Sequence, residues 1–416
     1  MAMRFPARLF IGFFFAPVIA CAEDVSIVYP VTGKPFPARI SRIDSKWNIT
    51  FIAGSVRQNL AAADMVSWGA QIDCERGPQV VLADGGLLIA ESLEINDEHL
   101  VFETRHFGPA RVPLKFLRGI VFQPPVDRLD RDRMLQRVQS SQGQEDQLLL
   151  ANGDVLRGSL ITPDKDATTT YPDGEPLTLE TGTRRISIPR DRISAVVFNP
   201  ALVEQPRPQG MIARIGMRDG TCLSVARLET SDDKIELLLP GGLKVQTAPG
   251  IPPEDFFADL SFLQFTSDRV TFLSDLQPLG GKHVPFLTTK WEHQLDRSVL
   301  GGRLRWRDQI YAKGISMHST SRLAYDLDGS YQSFAAELAL DQQAGNRGSV
   351  KYRVYLQNGE GAWSRAYASP VIRGGDKPVH INISLRNVRR IALIVDRADR
   401  GDEMDHANWL NARLTK

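Results

Sequence analysis

The chain reads QLLLANGD from Gln147 to Asp154, an apolar run that ends at an Asn-Gly turn. Two similar octets, QVVLADGG from Gln79 and ARIGMRDG from Ala213, stand before and after it. Asn-Gly and Asp-Gly supply the positive-φ residues that a tight hairpin requires, so each octet predicts a strand followed by a turn. Their recurrence predicts that much of the chain is built from one repeated β-unit.

Each predicted unit also ends on a short apolar strand. These strands read GIVF from Gly119, AVVF from Ala195 and FLQF from Phe262, and a weaker first copy of the unit runs over residues 26–68. In two units a Val-Pro or Ile-Pro pair precedes the closing strand, where proline stops one strand and directs the next. Four or five short strands per unit are typical of an Sm-like or SH3-like barrel or of a curled meander. One such unit buries little core, so we expect the units to pack in pairs.

A polar segment separates the second and third units. It is rich in Arg, Asp, Gln and Leu, which indicates a helix or a linker whose charges form a solvated face. The predicted division of the chain is 1–22 signal peptide, 23–126 units 1 and 2, 127–143 helix or linker, 144–266 units 3 and 4, and 267–416 a C-terminal domain.

The C-terminal domain has longer and more regular strands. In VKYRVYL from Val350 and VHINISL from Val379, every second residue is apolar or aromatic. This alternation is typical of half-buried antiparallel strands. About eight such strands without a convincing helix predict a β-sandwich or jelly roll, so the fold class is all-β.

Several segments of this domain also match a known family. The two most distinctive are YAKGISMH from Tyr311 and DHANWLNARL from Asp405. The others, in chain order, are VTFLSDL from Val270, YDLDGSY from Tyr325, GSV from Gly348 with RVY from Arg353, RGGDKP from Arg373 and IALIVD from Ile391. Together they resemble the NPCBM family of carbohydrate-binding modules, which is associated with glycosyl hydrolase family 98 and other glycosidases.

The resemblance covers about a third of the chain and implies a galactose-binding-like β-sandwich that binds sugars. Three positions depart from the family pattern. Asn408 replaces an acid, Ser316 replaces a glycine, and Gln342 replaces the second acid after Asp341. Any function of those acids in relatives is therefore in doubt here.

Sugar recognition combines flat apolar rings with planar polar groups. Two segments, 358–367 and 405–409, offer both, and the resemblance places His318 near the second. The candidate sugar ligands are His318, Trp363, Arg365, Tyr367, Asp405, His406, Asn408 and Trp409. The competing interpretation is a structural hydrogen-bond knot at one end of the sandwich, with Trp409 in the core.

Carboxylates recur at every third position in Asp396, Asp399 and Asp402. Ca²⁺ takes about 6 to 8 oxygen ligands, so this loop is a candidate calcium site. Galactose-binding-like sandwiches often hold a structural calcium, which the resemblance carries over as an expectation. The alternative is a solvated loop in which Arg397 and Arg400 neutralise the same acids.

The overall charge is close to balanced, with 50 Lys and Arg against 49 Asp and Glu in 416 residues. No global field therefore favours nucleic acid or an anionic membrane. The sequence contains no P-loop, HExxH, G-x-S-x-G or dinucleotide motif, so we expect no enzyme activity.

The N-terminus predicts export. Arg4 and Arg8 precede an apolar run over 9–20 that is shorter than the roughly 20 residues of a membrane span, and Ala20-Cys21-Ala22 follows. This pattern is typical of a signal peptide, and the alternative is a lipoprotein anchored at Cys21. No later stretch is apolar enough to span a membrane. Whether Cys74 and Cys222 form a disulfide or remain separate thiols stays open.

These features favour an exported, non-catalytic carbohydrate-binding protein whose repeats act as a spacer or as an interaction surface. Two alternatives stay open. One is a structural or assembly protein of the cell envelope that binds other proteins, and the other is a divergent glycoside hydrolase. An exposed ring and unpaired polar groups near His318, Trp363 and Asp405 would favour sugar, whereas a buried, satisfied cluster would favour assembly.

Overall fold

The structure is a computed structural model that describes residues 26–74, 77–96, 98–161, 175–207, 210–359, 361–399 and 401–416. The predicted signal peptide over 1–22 and the lipid anchor at Cys21 lie outside the described residues. Among the described residues, antiparallel strands dominate, as the sequence predicted, and no helix has the length and apolar character needed to cross a membrane.

Four β-units occupy the first two thirds of the chain. The first contains β1 (Ile27–Pro30), β2 (Phe36–Pro37), β3 (Arg39–Ile43), β4 (Asn48–Ala53), β5 (Val56–Ala61) and β6 (Met65–Gly69), and β7 (Gln71–Ile72) follows it. The second contains β8 (Gln79–Leu82), β9 (Leu87–Ile89), β10 (Ser92–Ile95), β11 (His99–Glu103), β12 (Ala110–Pro113) and β13 (Leu117–Val121).

The third and fourth units follow a helix, α1 (Arg128–Ser140). The third contains β14 (Asp146–Leu150), β15 (Val155–Ile161), β16 (Leu177–Thr181), β17 (Arg184–Ile188) and β18 (Ile193–Val197). The fourth contains β19 (Ala213–Met217), β20 (Cys222–Val225), β21 (Arg227–Thr230), β22 (Ile235–Leu238), β23 (Lys244–Gln246), α2 (Pro253–Ala258) and β24 (Leu260–Phe265).

Every unit has the same internal pairing. The opening strand pairs along one edge with the next strand and along the other edge with the closing strand, as β8 does with β9 and β13. One helical turn precedes each closing strand: a 3₁₀ turn over Ala62–Asp64, Leu114–Phe116 or Arg190–Arg192, or the short helix α2. The repeated unit predicted from the octets is thus present four times.

The units join in an order that differs from their order in the chain. The closing strands β13 and β18 pair to join units 2 and 3, and β24 and β6 pair to join units 4 and 1. The pairing of β9 with β20, at Leu87 opposite Cys222, joins the two pairs into one sheet, and Phe107 opposite Thr247 forms a further bridge between units 2 and 4. The result is one 14-stranded sheet in which the units follow the order 3, 2, 4, 1. One buried cluster with members from all four units forms their core.

The C-terminal domain is a two-sheet sandwich, as predicted. Its strands are β25 (Val270–Phe272), β26 (Gly280–His283), β27 (Gln294–Leu295), β28 (Leu304–Trp306), β29 (Gln309–Tyr311), β30 (Gly314–His318), β31 (Ser321–Asp326), β32 (Ser333–Leu340), β33 (Ser349–Asn358), β34 (Trp363–Ala368), β35 (Ile372–Arg373), β36 (Val379–Ser384), β37 (Val388–Arg397) and β38 (His406–Thr415). Single 3₁₀ turns lie at Leu273–Asp275 and Gln342–Ala344.

The two sheets enclose a separate core. The first sheet has the order β27-β30-β38-β32-β36, with β25 beside β38, and the second has the order β26-β31-β37-β33-β34, with β35 beside β33. The alternating residues of β33 and β37 point into the space between them, where Tyr352, Val354 and Trp409 are fully buried. The predicted period-two pattern of β33 therefore corresponds to the inner face of the second sheet, and that of β36 to the inner face of the first.

The first sheet faces the repeats. The Tyr29 ring stacks against His380 of β36 at 6.4 Å, and Val66 packs against Phe272 of β25. The β28–β29 hairpin adds β7 as a third strand, with Ile310 opposite Gln71. These contacts attach the sandwich to unit 1 and to β7.

Helix α1 corrects one expectation. Its charges do not all form a solvated face, because Arg131 and Asp132 are buried at 0% and 4% exposure. Asp132 Oδ1 accepts from Arg303 Nε at 2.6 Å and from Arg305 Nη2 at 2.7 Å. A helix of modest apolarity is thus held to the sandwich by charge, which composition alone did not indicate.

Cys74 and Cys222 form no disulfide with each other in the structure. Cys222 is buried at the β9–β20 contact, and its Sγ accepts from Arg214 Nε at 3.2 Å.

Candidate functional site

A cluster of histidines lies at one end of the sandwich. His318 ends β30 and is paired across the sheet with His406, which begins β38, so the two rings lie 5.3 Å apart. His283, the last residue of β26, brings a third ring to 5.7 Å from His318. The ends of three strands from both sheets thus converge at one place, which we call the histidine end.

Trp291 covers this cluster. Its ring stacks on His318 with centroids 4.9 Å apart and planes inclined by 10°, and its edge meets His406 at 5.4 Å. Its backbone N–H donates to His283 Nδ1 at 3.1 Å. Because that nitrogen accepts, the neutral His283 ring carries its proton on Nε2, which donates to the Ser319 carbonyl at 3.0 Å. The loop that carries Trp291 is therefore fixed through the imidazole of His283.

Asp405 holds the Ser319 turn, whose carbonyl is bonded by His283 and His318. It is fully buried, and its two carboxylate oxygens accept from Ser319 Oγ at 2.6 Å and from the Ser349 backbone N–H at 2.8 Å. Burial raises the pKa of Asp405 to about 6, and these hydrogen bonds offset only part of that rise. Asp405 ties β33 to the cis-linked Ser319 turn rather than facing solvent.

Burial favours the neutral form of two of these histidines, His318 and His406. Burial, with a contribution from His318, lowers the pKa of His406 to about 4, and burial also lowers the pKa of His318. His318 Nδ1 donates to the same Ser319 carbonyl at 2.8 Å, whereas the buried Nδ1 of His406 has no hydrogen-bond partner among the described residues. The cluster is a compact and nearly satisfied support for the loop above it.

The loop itself is exposed and apolar at its tip. The side chains of Val284, Phe286 and Leu287 are 51%, 51% and 81% exposed. The guanidinium of Arg397 lies 4.9 Å from the centroid of the Phe286 ring. Exposed rings beside charged side chains are the combination that sugar recognition requires.

The predicted sugar ligands do not form one site. His318, Asp405 and His406 meet at the histidine end, but Trp363 and Arg365 lie on the edge strand β34. Trp363 is paired with Gln357 of β33, whereas Asp405 bonds Ser349, eight residues back along the same strand. At ~3.3 Å per residue, these two positions are roughly 26 Å apart.

Three other candidates are largely or fully buried. Trp409 is fully buried and meets the Tyr352 ring edge-on at 5.0 Å, so it belongs to the core and offers no platform. Asn408 is also fully buried, and its Nδ2 donates to Asp341 Oδ2 at 3.0 Å. Tyr367 is partly buried against the same core. Asn408 thus acts as a hydrogen-bond partner of Asp341 in the interior.

The acids proposed as calcium ligands do not converge. Asp396 pairs with Arg353 at 3.0 Å and Asp399 with Arg373 at 2.6 Å. Within the ranges that the structure describes, no three His, Cys, Asp or Glu side chains come together as metal ligands. Asp402 instead lies near His318, where its charge favours the protonated ring. Arginines satisfy two of these acids, although they are not the arginines the sequence suggested.

Sequence reasoning missed His283 and Trp291. Neither belongs to a segment that resembles the family, and both lie in a stretch without periodicity, 283–293. Only the tertiary contact with His318 shows that they matter. The one available signal was a tryptophan between charged residues in Lys290-Trp291-Glu292, which by itself does not distinguish a platform from a surface residue.

Comparisons with known proteins identify one family model and several similar structures. No curated protein matches the chain. Among solved structures, it is similar to a CBM51 module from Clostridium perfringens GH95 in complex with methyl-galactose, with 24% identity over 35% of this chain and 99% of that chain and a TM-score of 0.31. Tandem CBM51 modules of a family 98 glycoside hydrolase from Streptococcus pneumoniae align with 10% identity over 65% of this chain and 87% of that chain, also at a TM-score of 0.31.

A third similar structure holds the second CBM51 module, with GlcNAc, and the INT domains of Clostridium perfringens ZmpB. It aligns with 24% identity and a TM-score of 0.31, over 44% of this chain and only 36% of that chain. The family model of the NPCBM/NEW2 domain matches residues 269–415, the whole of the sandwich described above. The C-terminal third of this chain is an NPCBM domain, joined to four β-units that lie outside the matched residues.

Proposed function

We propose that this protein is an exported, non-catalytic carbohydrate-binding protein whose NPCBM domain holds a glycan at the histidine end. The observation that carries the proposal is the loop over 284–292, where the exposed Phe286 ring and the partly buried Trp291 ring stand beside polar side chains. Ring faces cover the C–H faces of a pyranose, and planar charged groups take its hydroxyls.

The cluster of His318 and Asp405 is buried, which by itself favours an assembly role, whereas the exposed Phe286 ring above it favours sugar. In this proposal the buried cluster therefore positions the loop instead of touching the sugar. His318 supports the face of the Trp291 ring, and His283 binds the Trp291 backbone. Asp405 holds the Ser319 turn that receives both imidazoles. The direct ligands are then the rings of Phe286 and Trp291 with the exposed side chains of Lys290, Glu292 and Arg397.

Affinity for a single sugar should be weak, about micromolar to millimolar, because a small ligand offers few atoms. Binding to a polymer would strengthen through repeated engagement. The four β-units then serve as a spacer or as a second interaction surface. We expect no hydrolysis, because the proposed ligands are rings and charged side chains and not a pair of carboxylates across a cleft.

The test is a glycan-array screen of the full chain, followed by calorimetry on the strongest neutral ligand. Trp291→Ala and Phe286→Ala should each weaken binding about tenfold or more, since each removes a stacking ring. Trp363→Ala is the matched control, because it removes an exposed ring far from the histidine end and should leave affinity for a neutral glycan unchanged. Equal affinity of all three variants and wild type would contradict the assignment.

A second candidate is favoured by one observation. Val284, Phe286 and Leu287 form an exposed apolar tip, which is also what a protein partner would bury. If the folded chain binds no neutral glycan, an assembly role in the cell envelope through this tip becomes the better proposal. Cross-linking in envelope extracts, lost on Leu287→Asp, would then support it.

A further inference from the structure

On the outer face of the second sheet, a row of mostly short side chains crosses the strands between two rows of longer ones, and we call this arrangement the trough. One residue from each strand lines up in register: Gly280, Ala324, Ala392, Tyr355 and Arg365. At ~4.8 Å between strands, this row is about 19 Å long. The first three residues of the row have little or no side chain. Backbone and methyl groups therefore form the floor of the trough as far as the Tyr355 ring.

Longer side chains form the two walls. On one side stand Lys282, Arg322, Ile394 and Arg353, each two residues from its neighbour in the floor and therefore on the same face. On the other side stand Asp326, Arg390, Gln357 and Trp363. The Trp363 ring, 43% exposed, closes the trough beside Arg365.

The trough is basic. Arg353 pairs with Asp396 at 3.0 Å and Arg390 with Asp326 at 2.6 Å. Among the described residues, no carboxylate pairs with Lys282, Arg322 or Arg365, and all three are exposed. The trough thus has five basic side chains, and only two of them are neutralised by an acid among the described residues.

This local charge is part of a wider asymmetry. Residues 269–416 contain 22 Lys and Arg against 15 Asp and Glu, a net charge of +7, although the whole chain is at +1. The near-zero net charge of the whole chain is therefore the sum of a basic sandwich and acidic repeats. A basic surface raises the local concentration of anionic ligands and speeds their association.

We propose that this face binds an acidic polysaccharide, one whose sugars carry carboxylate or sulfate groups. The floor of Gly and Ala admits the edge of an extended chain, and the Tyr355 and Trp363 rings receive a pyranose face at one end. The unpaired Lys282, Arg322 and Arg365 meet the acidic groups. A membrane surface would instead favour protruding apolar side chains, which this flat face lacks along its floor.

The end of the trough at Tyr355 and Trp363 is separate from the histidine end, although Lys282 of one wall directly precedes His283. The first sheet faces the repeats, whereas the outer face of the second sheet carries the trough. Tyr355 lies six residues along β33 from Ser349, which bonds Asp405, and that separation is about 20 Å at ~3.3 Å per residue. The proposal therefore goes beyond the neutral-glycan site and stands or fails separately from it.

The experiment measures binding of the full chain to polygalacturonate, heparin and a neutral galactan. Wild type should bind the two acidic polymers and lose affinity as NaCl rises from about 0.05 to about 0.5 M, because salt screens exposed charges. Arg322→Glu combined with Arg365→Glu should weaken binding at least about tenfold at low salt, since attraction becomes repulsion. Arg57→Glu, an exposed arginine of the repeats, is the matched charge control and should change little.

The Trp363→Ala variant tests whether the trough is a polysaccharide site or a general anion-binding surface. Stacking is insensitive to salt, so this variant should lose a similar factor at low and at high salt. Trp291→Ala should keep full affinity for the acidic polymers. The proposal is overturned if the Arg322/Arg365 double variant and Trp363→Ala bind as wild type does. It is equally overturned if duplex DNA or anionic vesicles bind as tightly as polygalacturonate and heparin.

Discussion

Asp405 and His406 are consecutive residues whose protonation equilibria have opposite effects on stability. The pKa of Asp405 is raised to about 6, so the folded protein binds more protons than the unfolded chain between pH 4 and 6, and stability falls as pH rises. The pKa of His406 is lowered from 6.5 to about 4, so the folded protein binds fewer protons there, and stability rises with pH. In the wild type the two contributions largely cancel.

Replacing either Asp405 or His406 should reveal the pH dependence of stability that the other residue contributes. In His406→Gln, the free energy of unfolding should fall between pH 4 and 6 by about 2 kcal/mol relative to wild type, because the opposing contribution of His406 is lost while those of Asp405 and His318 remain. Asp405→Asn should show the reverse slope, with stability rising towards pH 6.5. Urea unfolding followed by tryptophan fluorescence measures both, and identical slopes in the wild type and the two variants would show that the pair does not titrate this way.

Among the secondary-structure elements, the pairing of the closing strands decides how the four units join. At both joints, β13–β18 and β24–β6, a glycine lies against the partner strand. A Cβ on Gly119 would lie 2.1 Å from the Val196 carbonyl oxygen, and one on Gly69 would lie 2.0 Å from that of Ser261. These glycines let two units approach closely enough to share one sheet.

Gly119→Ala should therefore open the joint between units 2 and 3. The added methyl group also meets Val138 of α1 at 2.8 Å, so backbone and helix must both shift, at a cost of about 3 kcal/mol. Gly280→Ala is the control, because its Cβ would meet nothing within 4 Å and should cost less than about 0.5 kcal/mol. Chemical denaturation compares the two, and similar midpoints would argue against the close approach.

At the scale of the whole molecule, a buried charge cluster sets how the NPCBM domain sits on the repeats. Asp73 forms ion pairs with Arg131, Arg303 and Arg305. Asp132 forms ion pairs with Arg303 and Arg305. Burial would raise the pKa of Asp73, but the three arginines hold it at about 2. Asp73 therefore remains charged at neutral pH, and the cluster fixes the relative position of α1, the segment after β7 and the β28–β29 hairpin.

Asp132→Ala should loosen the sandwich from the repeats. It leaves Arg305, 5% exposed, without half of its ion pairs, and such a loss costs about 3 to 5 kcal/mol. Asp130→Ala on the same helix removes only the exposed pair with Arg133 at 3.5 Å and should cost less than about 1 kcal/mol. We expect calorimetry to resolve a separate transition of the NPCBM domain only in Asp132→Ala. A single unchanged transition would show that the cluster does not couple the two parts.

Local patterns predicted the elements of this protein well. The Asn-Gly and Asp-Gly octets found the opening strands, and the alternation around Val350 and Val379 found the inner faces of the sandwich. Family resemblance added the identity of the domain. These signals work because hairpin turns and the two faces of a strand depend on residues that are neighbours in the chain.

The sequence by itself therefore determined the all-β class, the repeated unit and the NPCBM domain. Only the tertiary structure decided the unit order 3, 2, 4, 1, the separation of Trp363 from His318, and the burial of Trp409. It also decided that Asp132 of a polar helix bonds Arg303, 171 residues away in the chain. Long-range pairing depends on which faces and edges meet after the strands have formed, and no local periodicity records that choice.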